Sequence, residues 1–527
     1  MTDSHAGNIA FRWTTTFLQA VQSCGLRHIV ISPGSRSTPL TLAAAADDKL
    51  HKHVVLDERS AAFTALGIGK ATNMPAVLIC TSGTALANYY PAVIEARQSG
   101  VPMILATADR PPNLRATGAN QAIDQLKIFG DYPVFFHEVG EPSLQTQDLD
   151  RLQILGQQAV HISREKRGPV HLNFPFRKPL EPEKKFLETF SLNNPIDAPS
   201  DRGTTSTALH LSDTIQQTLS CAQQPLIIVG PLAPGDNIKA ITRLAEETNS
   251  PIVTESAIDH QNIISGFAGF LRNEKLRTEL EPDLILRFGF QPTSKSLELG
   301  LNDWSPDAHY HFASTHEWQD ATYSGAGRIS WMGQELKWEP FNSSTNGDWL
   351  EKWKSAEKGF TEHYHQSVEK SSVLTDGAVY HHLTPQLKTG QFLAISNSFP
   401  ARDINLFGKQ NKDIPLFMNR GVSGIDGVTS TAIGLSLALD KPGILLTGDL
   451  ASLHDTNALL NAKKVNHPLI VVIINNAGGS IFRMLPIEEY ETYFNNYFET
   501  PQSADFQQLA KAYDVPYQGI ETLSQLK

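Results

Sequence analysis

Short runs of β-favouring residues alternate with longer helical segments along most of this chain, and this alternation is the feature that most constrains its fold. Parallel strands need a long crossover, usually a helix, so the pattern is typical of sheets with helices on both faces. We therefore predict an α/β protein with doubly wound parallel sheets. The longest helical predictions cover residues 60–72 and 84–98. The predicted strands cover residues 28–32, 53–56, 76–81, 102–107, 225–229, 251–254, 284–288, 392–396, 443–447 and 469–474.

The chain has 527 residues, which exceeds the ~100–200 residues of one typical domain. A proline-rich polar stretch precedes residue 200, and a second polar break, FNSSTNGD, lies at residues 341–348. Such breaks are typical of domain boundaries. We predict three domains, at residues 1–182, 200–340 and 349–527.

Charge and cysteine content exclude several classes of function. Lys and Arg total 44 against 55 Asp and Glu, a net charge of −11, so no general binding of nucleic acid or of an anionic membrane is expected. The three cysteines are scattered, which predicts neither a disulfide framework nor a thiolate zinc site. The first residues do not form a secretory signal. We expect a soluble, cytoplasmic protein.

The most informative segment lies in the last predicted domain. One apolar strand ends at Gly448-Asp449, and after a helical stretch a second apolar strand ends at Asn475-Asn476, so that Asp449 and Asn476 are 27 positions apart. Parallel strands joined by a crossover end at the same edge of the sheet, so both side chains should converge there. Carboxylate and amide oxygens favour Mg²⁺, which also binds the phosphates of a ligand. Either half of this motif alone would more often be a simple strand-end turn.

The combined pattern resembles the thiamin diphosphate-binding motif, in which Gly-Asp is followed after a helix by Asn-Asn. The resemblance implies that Asp449, Asn476 and the carbonyl of Gly478 hold Mg²⁺, with Mn²⁺ as an alternative, and that this ion grips the cofactor's diphosphate. Backbone groups at the start of the helix should contact the same diphosphate. These are the backbone groups of Gly448, Leu450 and Ala451.

A carboxylate in the first domain fits the second half of such a site. In this enzyme class a glutamate on another domain bonds to N1′ of the cofactor's aminopyrimidine and so promotes loss of the C2 proton. Glu58 follows a predicted strand and precedes a predicted helix. The alternative is that Glu58 and Asp57 only favour the first turn of that helix.

Further motifs lie in all three predicted domains: ISPGSRSTPL, ADRPPNLRATGANQAIDQ, FGFQPTSKSL, SNSFPARDINLF, NRGVSGIDGVTSTAIG, GDLASLHDTNALL and NNAGGSIF. Together they resemble the 2-succinyl-5-enolpyruvyl-6-hydroxy-3-cyclohexene-1-carboxylate synthase family, or MenD family, of menaquinone biosynthesis. The resemblance implies three doubly wound domains of the thiamin diphosphate-binding fold: pyrimidine-binding at 1–182, central at 200–340 and diphosphate-binding at 349–527. It implies a transferase of the EC 2.2.1.9 type that decarboxylates 2-oxoglutarate and adds a succinyl carbanion equivalent to isochorismate.

The same resemblance implies roles for individual residues in these motifs. Asn120 and Gln121 would lie beside the reacting centre with Glu58, while Ile425, Ile481 and Phe482 would contact the cofactor. Because Glu58 and the metal motif fall in different domains, it also implies a homodimer with sites shared between subunits, or a homotetramer. The substrate-binding set would be Ser35, Arg36, Arg110, Lys295, Ser398, Arg402 and Arg420.

Two alternatives remain open from the sequence. The chain could be another thiamin diphosphate-dependent 2-oxo acid decarboxylase or carboligase, acting on pyruvate, or a non-catalytic α/β binding module. Two His-x-His pairs, His309/His311 and His363/His365, have the spacing for a metal on a strand but no third ligand, so we interpret them as polar surface histidines.

Overall fold

The computed structural model describes residues 5–190, 208–315, 317–325, 327–408 and 414–526. Its contacts divide the chain into two compact units, each assembled from separate stretches. The first comprises Met1–Thr204, Asp426–Asp440 and Asp455–His467, and the second comprises Thr205–Ile425, Lys441–His454 and Pro468–Lys527. The three continuous domain ranges stay a prediction, and the start of the central one, at residue 200, lies outside the described residues.

The N-terminal third forms a six-stranded parallel sheet with the strand order β2-β1-β3-β4-β6-β5. Alternate residues of β1 face opposite layers: Ile29 and Ile31 pack with α1, α2 and α5, whereas Val30 packs with α3 and α4. Helices therefore cover both faces, as predicted. The elements are α1 Ala6–Ser23, β1 His28–Ile31, α2 Thr38–Ala45, β2 His51–Val54, α3 Glu58–Thr72, β3 Val77–Cys80, α4 Tyr90–Gln98, β4 Met103–Asp109, β5 Phe135–Glu138, α5 Thr146–Glu165, β6 Pro169–Pro175 and α6 Lys184–Thr189.

The central third forms a five-stranded parallel sheet with the strand order β12-β11-β10-β8-β9. Strands β13 and β7 form a separate two-stranded sheet. Its strand β8 also alternates between two apolar layers. The elements are β7 Leu209–His210, α7 Asp213–Cys221, β8 Pro225–Val229, α8 Ile238–Thr248, β9 Ile252–Thr254, α9 Phe267–Phe270, α10 Glu274–Glu279, β10 Leu284–Phe288, α11 Lys295–Asp303, β11 Ala308–Ala313, β12 Gly327–Ser330 and β13 Leu336–Lys337.

The C-terminal third contains a four-stranded parallel sheet, β15-β14-β16-β17. None of the helices within the described ranges combines the length and apolar character that a membrane span requires. The elements are α12 Trp349–Lys370, α13 Asp376–Leu383, β14 Phe392–Ile395, α14 Phe399–Phe407, β15 Leu416–Met418, α15 Val428–Leu439, β16 Gly443–Gly448, α16 Asp449–His454, β17 Leu469–Ile474, α17 Glu491–Phe494, α18 Phe506–Ala512 and α19 Leu523–Leu526.

Helix α3, which begins at Glu58, crosses α15 within the first unit at two glycines. A Cβ atom on Gly434 would lie 2.0 Å from the Thr64 carbonyl oxygen, and one on Gly67 would lie 2.2 Å from the Thr431 carbonyl oxygen. Only glycine permits this backbone approach. The crossing fixes the axis of the helix that carries Glu58.

Two sequence-based expectations are corrected by the structure. The predicted helix over 84–98 is a 3₁₀ helix, Gly83–Tyr89, followed by α4, because Pro91 near the start of α4 lacks the N–H that a continuous α-helix would use. The first His-x-His pair is buried, not on the surface: His309 is 8% exposed and His311 2%. His311 lies 3.1 Å from a guanidinium nitrogen of buried Arg287. The second pair is exposed, as expected.

Candidate active site

Four loops leave the same edge of the sheet in the first unit. Three of them carry predicted site residues, and the fourth carries Ser82. Glu58 follows β2, Arg36 follows β1 and Arg110 follows β4, with the loop at Ser82 following β3. These four strands are consecutive in the sheet and parallel, so their carboxyl ends share an edge, where ligands of α/β sheets bind.

Glu58 is the first residue of α3 and is half-buried. Asp57 precedes it as the N-cap and accepts hydrogen bonds from the backbone of Arg59 and Ser60 at 2.9 and 3.4 Å. Burial raises the pKa of the Glu58 carboxyl, its own backbone N–H opposes this, and the charge of Asp57 adds to it. The capping role belongs to Asp57, which leaves the Glu58 carboxyl available for a ligand.

Arg36 and Arg110 form a concentrated positive charge at the same edge. Arg36 is 6% exposed, its Nη1 donates to the Phe176 carbonyl at 2.8 Å, and its buried Nε has no hydrogen-bond partner among the described residues. Burial lowers the pKa of the Arg36 guanidinium, and the charge of Arg110 lowers it further while Asp109 opposes this. A bound carboxylate would satisfy the unpartnered N–H and the uncompensated charge.

The loop that carries Asn120 and Gln121 is tied to Arg110. Arg110 Nε and Nη2 donate to the Asn120 carbonyl at 3.2 and 2.9 Å. Gln121 has a φ of 58°, a left-handed conformation, and its side chain is exposed. The structure therefore brings Arg110, predicted for substrate binding, together with Asn120 and Gln121, predicted to lie beside the reacting centre. Ser35, by contrast, is exposed and contributes its carbonyl to Thr38.

In the second unit the same arrangement recurs on the four-stranded sheet. Arg420 follows β15, Ser398 follows β14, Asp449 follows β16 and Asn476 follows β17, and these strands are consecutive. Gly448 pairs in register with Ile474. The strands before Asp449 and Asn476 therefore end side by side at one edge, as their spacing predicts, while the convergence of the two side chains and their roles stay predictions.

Asp449 has the environment of a cation ligand. It is 3% exposed, and its Oδ2 has no hydrogen-bond partner among the described residues. Burial raises the pKa of the Asp449 carboxyl, and backbone N–H groups of Leu450 and Gly478 oppose this. The described residues contain no cluster of three or more His, Cys, Asp and Glu suited to a metal. One buried carboxylate oxygen beside amide and carbonyl oxygens fits Mg²⁺, which keeps waters and ligand phosphates in its shell.

The turn after β17 depends on a glycine. Gly478 has a φ of 148°, and a Cβ there would lie 2.4 Å from the Glu499 carbonyl oxygen. Gly479 N–H donates to that carbonyl at 2.6 Å. The 3₁₀ helix Ser480–Met484 that follows carries Ile481 and Phe482. The backbone of Gly478 is thus fixed next to the strand end, while Asn476 itself is exposed.

The loop after β14 is organised by Asn397, a residue that the sequence reasoning missed. Its Nδ2 donates to the carbonyls of Asn419 and Gly424 at 2.7 and 2.6 Å, and its Oδ1 accepts from Arg420 Nη1 at 2.8 Å. It therefore joins the loop of Ser398 to the loop that carries Arg420 and ends at half-buried Ile425.

Ser398 itself has a strained backbone. Its φ of 72° and ψ of −136° are rare for a residue with a side chain. Arg402 Nη1 donates to the Ser398 carbonyl at 2.8 Å, so the predicted pair is in contact. Lys295 stands apart: its side chain is 68% exposed, and its ammonium group pairs with Glu298, which is not one of the predicted site residues.

Comparison with known proteins agrees with both halves of this arrangement. Residues 12–128 match the thiamine pyrophosphate enzyme N-terminal TPP-binding domain, and residues 409–527 match the corresponding C-terminal domain. Two 2-succinyl-5-enolpyruvyl-6-hydroxy-3-cyclohexene-1-carboxylate synthases are similar over nearly the whole chain. That of Bacillus velezensis is 37% identical, covering 97% of this chain and 90% of its own, and that of Trichodesmium erythraeum is 36% identical, covering 98% and 92%. The synthase of Haloquadratum walsbyi is 35% identical, covering 96% and 90%.

This chain belongs to the 2-succinyl-5-enolpyruvyl-6-hydroxy-3-cyclohexene-1-carboxylate synthase family. The thiamin diphosphate-binding fold predicted from the Gly-Asp and Asn-Asn motif is therefore confirmed. Glu58 lies within the matched N-terminal domain, and Asp449 and Asn476 lie within the matched C-terminal domain. Individual residue roles remain predictions.

A second residue missed from sequence supports the Glu58 helix of this MenD-family chain. Asp455 is fully buried and accepts from the backbone and hydroxyl of Ser430 at 2.7 and 3.0 Å and from the Ser60 hydroxyl at 3.3 Å. Nearby, Asn457 Nδ2 donates to Asp57 at 2.8 Å. No sequence motif indicates this role, because the Asp455–Ser60 and Asn457–Asp57 contacts join residues about 400 positions apart.

Asp455 should make stability depend on pH. Burial raises its carboxyl pKa from 3.8 to about 6, so between these values the folded chain binds more protons than the unfolded chain. Its contribution to stability is complete below about pH 4 and is lost as pH rises through about 6. Relative to an Asp455→Asn variant, we expect the free energy of unfolding of the wild type to fall by on the order of 2 kcal/mol across this range. Urea denaturation of both proteins at several pH values measures this, and parallel pH curves would contradict it.

Proposed function

We propose that this chain is a thiamin diphosphate-dependent synthase that decarboxylates 2-oxoglutarate and joins the resulting succinyl unit to isochorismate, with release of CO₂. The observation that carries the proposal is the placement of Asp449, with its unpartnered buried oxygen, at a sheet edge shared with the end of the strand before Asn476. The names of the relatives give the product of the synthase, and the two substrates are those that the family resemblance of the sequence motifs implies.

The metal belongs to the proposal. Mg²⁺, or Mn²⁺ in its place, would be held by the Asp449 carboxylate, the Asn476 side-chain oxygen and the Gly478 carbonyl, leaving positions for a diphosphate and water. Burial makes an isolated Asp449 carboxylate costly, and a bound divalent ion compensates for that charge. Gly448, Leu450 and Ala451 would line the diphosphate, with Ile425, Ile481 and Phe482 contacting the rest of the cofactor.

The reaction assigns work to several side chains. When bound, thiamin diphosphate supplies the electron sink that allows a 2-oxo acid to lose CO₂. Glu58 would hold the proton at N1′ of the cofactor's pyrimidine, and its raised pKa favours the protonated carboxyl that this requires. Asn120 and Gln121 would lie beside the reacting centre.

Both substrates carry more than one carboxylate group, and the basic residues of the predicted site would compensate for that negative charge. Arg36 and Arg110 would bind isochorismate, with Lys295 and Arg420 in the same role, and Ser35 would contribute to substrate binding. Ser398 and Arg402 would bind the succinyl carboxylate. Since Arg36 is buried with an unpartnered Nε, it is the residue whose environment most requires an anion. A homodimeric or homotetrameric assembly and a cytoplasmic location remain predictions from the sequence.

Substrate preference tests this proposal directly. With thiamin diphosphate and Mg²⁺ present, we expect CO₂ release from 2-oxoglutarate to exceed that from pyruvate by at least about tenfold, because Ser398 and Arg402 are proposed to bind the second carboxylate, which pyruvate lacks. Isochorismate should then be consumed only when 2-oxoglutarate is supplied. Preference for pyruvate would support the rival carboligase, and absence of turnover with normal cofactor binding would support a non-catalytic module.

A further inference from the structure

The loop between β3 and the following 3₁₀ helix contains a serine, Ser82, that contacts two residues of the predicted site, Arg110 and Gln121. Ser82 is fully buried, although the loop lies at the ligand edge of the sheet. Its Oγ accepts from Arg110 Nη1 at 2.5 Å and donates to the Gln121 carbonyl at 3.1 Å. Its own carbonyl accepts from Gln121 Nε2 at 2.8 Å.

A single hydroxyl thus orients a charged group and a loop together. A serine hydroxyl has one donor and two acceptor positions, and Ser82 uses its donor on Gln121 and an acceptor position on Arg110. Arg110 already places Nε and Nη2 on the Asn120 carbonyl. A guanidinium group has five N–H donors, so two remain for a carboxylate after these three bonds.

Hydrogen bonds made by neighbouring residues hold Ser82 in position. Gly83 N–H donates to the side-chain oxygen of buried Gln125 at 2.9 Å, and Gln125 Nε2 donates to the Ala108 carbonyl at 3.2 Å. Gly83 has a φ of 88°, and a Cβ there would lie 2.8 Å from Gln121 Cγ. The backbone on each side of the Ser82–Gln121 contact is therefore fixed.

We propose that Ser82 is a positioning residue for substrate recognition: its hydroxyl aims the Arg110 guanidinium and fixes the Asn120–Gln121 loop so that both meet the carboxylate-bearing acceptor substrate. This rests on the proposed function, in which Arg110 binds isochorismate and Asn120 and Gln121 lie beside the reacting centre. Ser82 acts through Arg110, Asn120 and Gln121 and does not itself touch the reacting atoms.

The test replaces the hydroxyl and measures each substrate separately. In Ser82→Ala we expect the KM for isochorismate to rise by about 10- to 100-fold, the range for losing a hydrogen bond to a charged group, with the KM for 2-oxoglutarate changed by less than about threefold. In an Arg110→Ala background the same change should raise the KM by less than about threefold, because the group it orients is absent.

Ser163→Ala is the matched control. Ser163 is also fully buried, and its Oγ accepts from Met103 N–H at 2.9 Å and donates to the Gly168 carbonyl at 2.7 Å. These contacts lie where β4 and β6 begin, at the edge of the sheet opposite the predicted site. Thermal melts of both variants should show similar destabilisation, but only Ser82→Ala should change the KM for isochorismate.

The outcomes separate this proposal from the function on which it rests. Turnover by the wild type together with an unchanged KM in Ser82→Ala, or an equal rise in both Arg110 backgrounds, overturns the role of Ser82 alone. No turnover by the wild type with 2-oxoglutarate and isochorismate overturns the proposed function and this role with it.

Discussion

The Glu58→Gln variant should fold normally and bind thiamin diphosphate with nearly wild-type affinity, yet lose about 10²- to 10⁴-fold in turnover. The amide has the size of the carboxyl but cannot exchange a proton with the cofactor's pyrimidine. Burial already raises the pKa of Glu58, so a neutral side chain at this position should cost little stability. Isochorismate consumption under saturating substrates measures the rate, and calorimetric titration measures cofactor affinity.

Asp57→Asn is the control for this prediction. Asp57 stands next to Glu58 and caps the same helix, and asparagine is an equally good N-cap. If the charge of Asp57 only stabilises the first turn of α3, the turnover of Asp57→Asn should stay within about threefold of that of the wild type. Similar losses of turnover in both variants would indicate that Glu58 serves only as a charge at the end of the helix. Undiminished turnover in Glu58→Gln would show that Glu58 has no role in the mechanism.

Asp449→Asn should weaken binding of thiamin diphosphate in the presence of Mg²⁺ by about 10²-fold or more. Substitution of a residue that only hydrogen-bonds to a metal ligand commonly lowers metal affinity by about 10- to 100-fold. Asp449 is proposed to bind the metal directly, so its loss should cost at least as much. The protein without cofactor should be as stable as the wild type or more so, because the substitution removes a buried charge with an unpartnered oxygen. A residue needed only for folding would show the opposite pattern.

Thermal melts with and without thiamin diphosphate and Mg²⁺ distinguish these possibilities. Ligands stabilise the state that binds them, so the wild type should gain in Tm on addition of both and Asp449→Asn should gain little. Asp440→Asn, which alters an exposed carboxylate nine positions earlier, should keep the full gain. An undiminished gain in Asp449→Asn would rule out the proposed metal site.

Strands with strong local signals were predicted closely. The bounds of β8, β10 and β17 agree with the prediction, because each is a run of mostly apolar residues set off by turns or polar segments. Strand β2 was placed two residues too late, at 53–56 instead of His51–Val54. It is a polar edge strand, and Leu56, which drew the prediction toward itself, is 67% exposed. Runs of apolar residues therefore locate strands such as β8, β10 and β17, whereas a polar strand such as β2 has a weaker signal.

The sequence by itself determined the parallel α/β class, the cofactor motif of Asp449 and Asn476, and the position of Glu58 after a strand, because these follow from local periodicity and from spacing across one crossover. Only the tertiary structure disclosed the hydrogen bonds that Ser82, Asn397 and Asp455 make. Each acts through hydrogen bonds to residues distant in the chain, such as the Ser60–Asp455 bond, and a serine or aspartate looks the same in sequence whether it serves a turn or joins two helices. Long-range polar contacts carry no local period, so folding alone decides them.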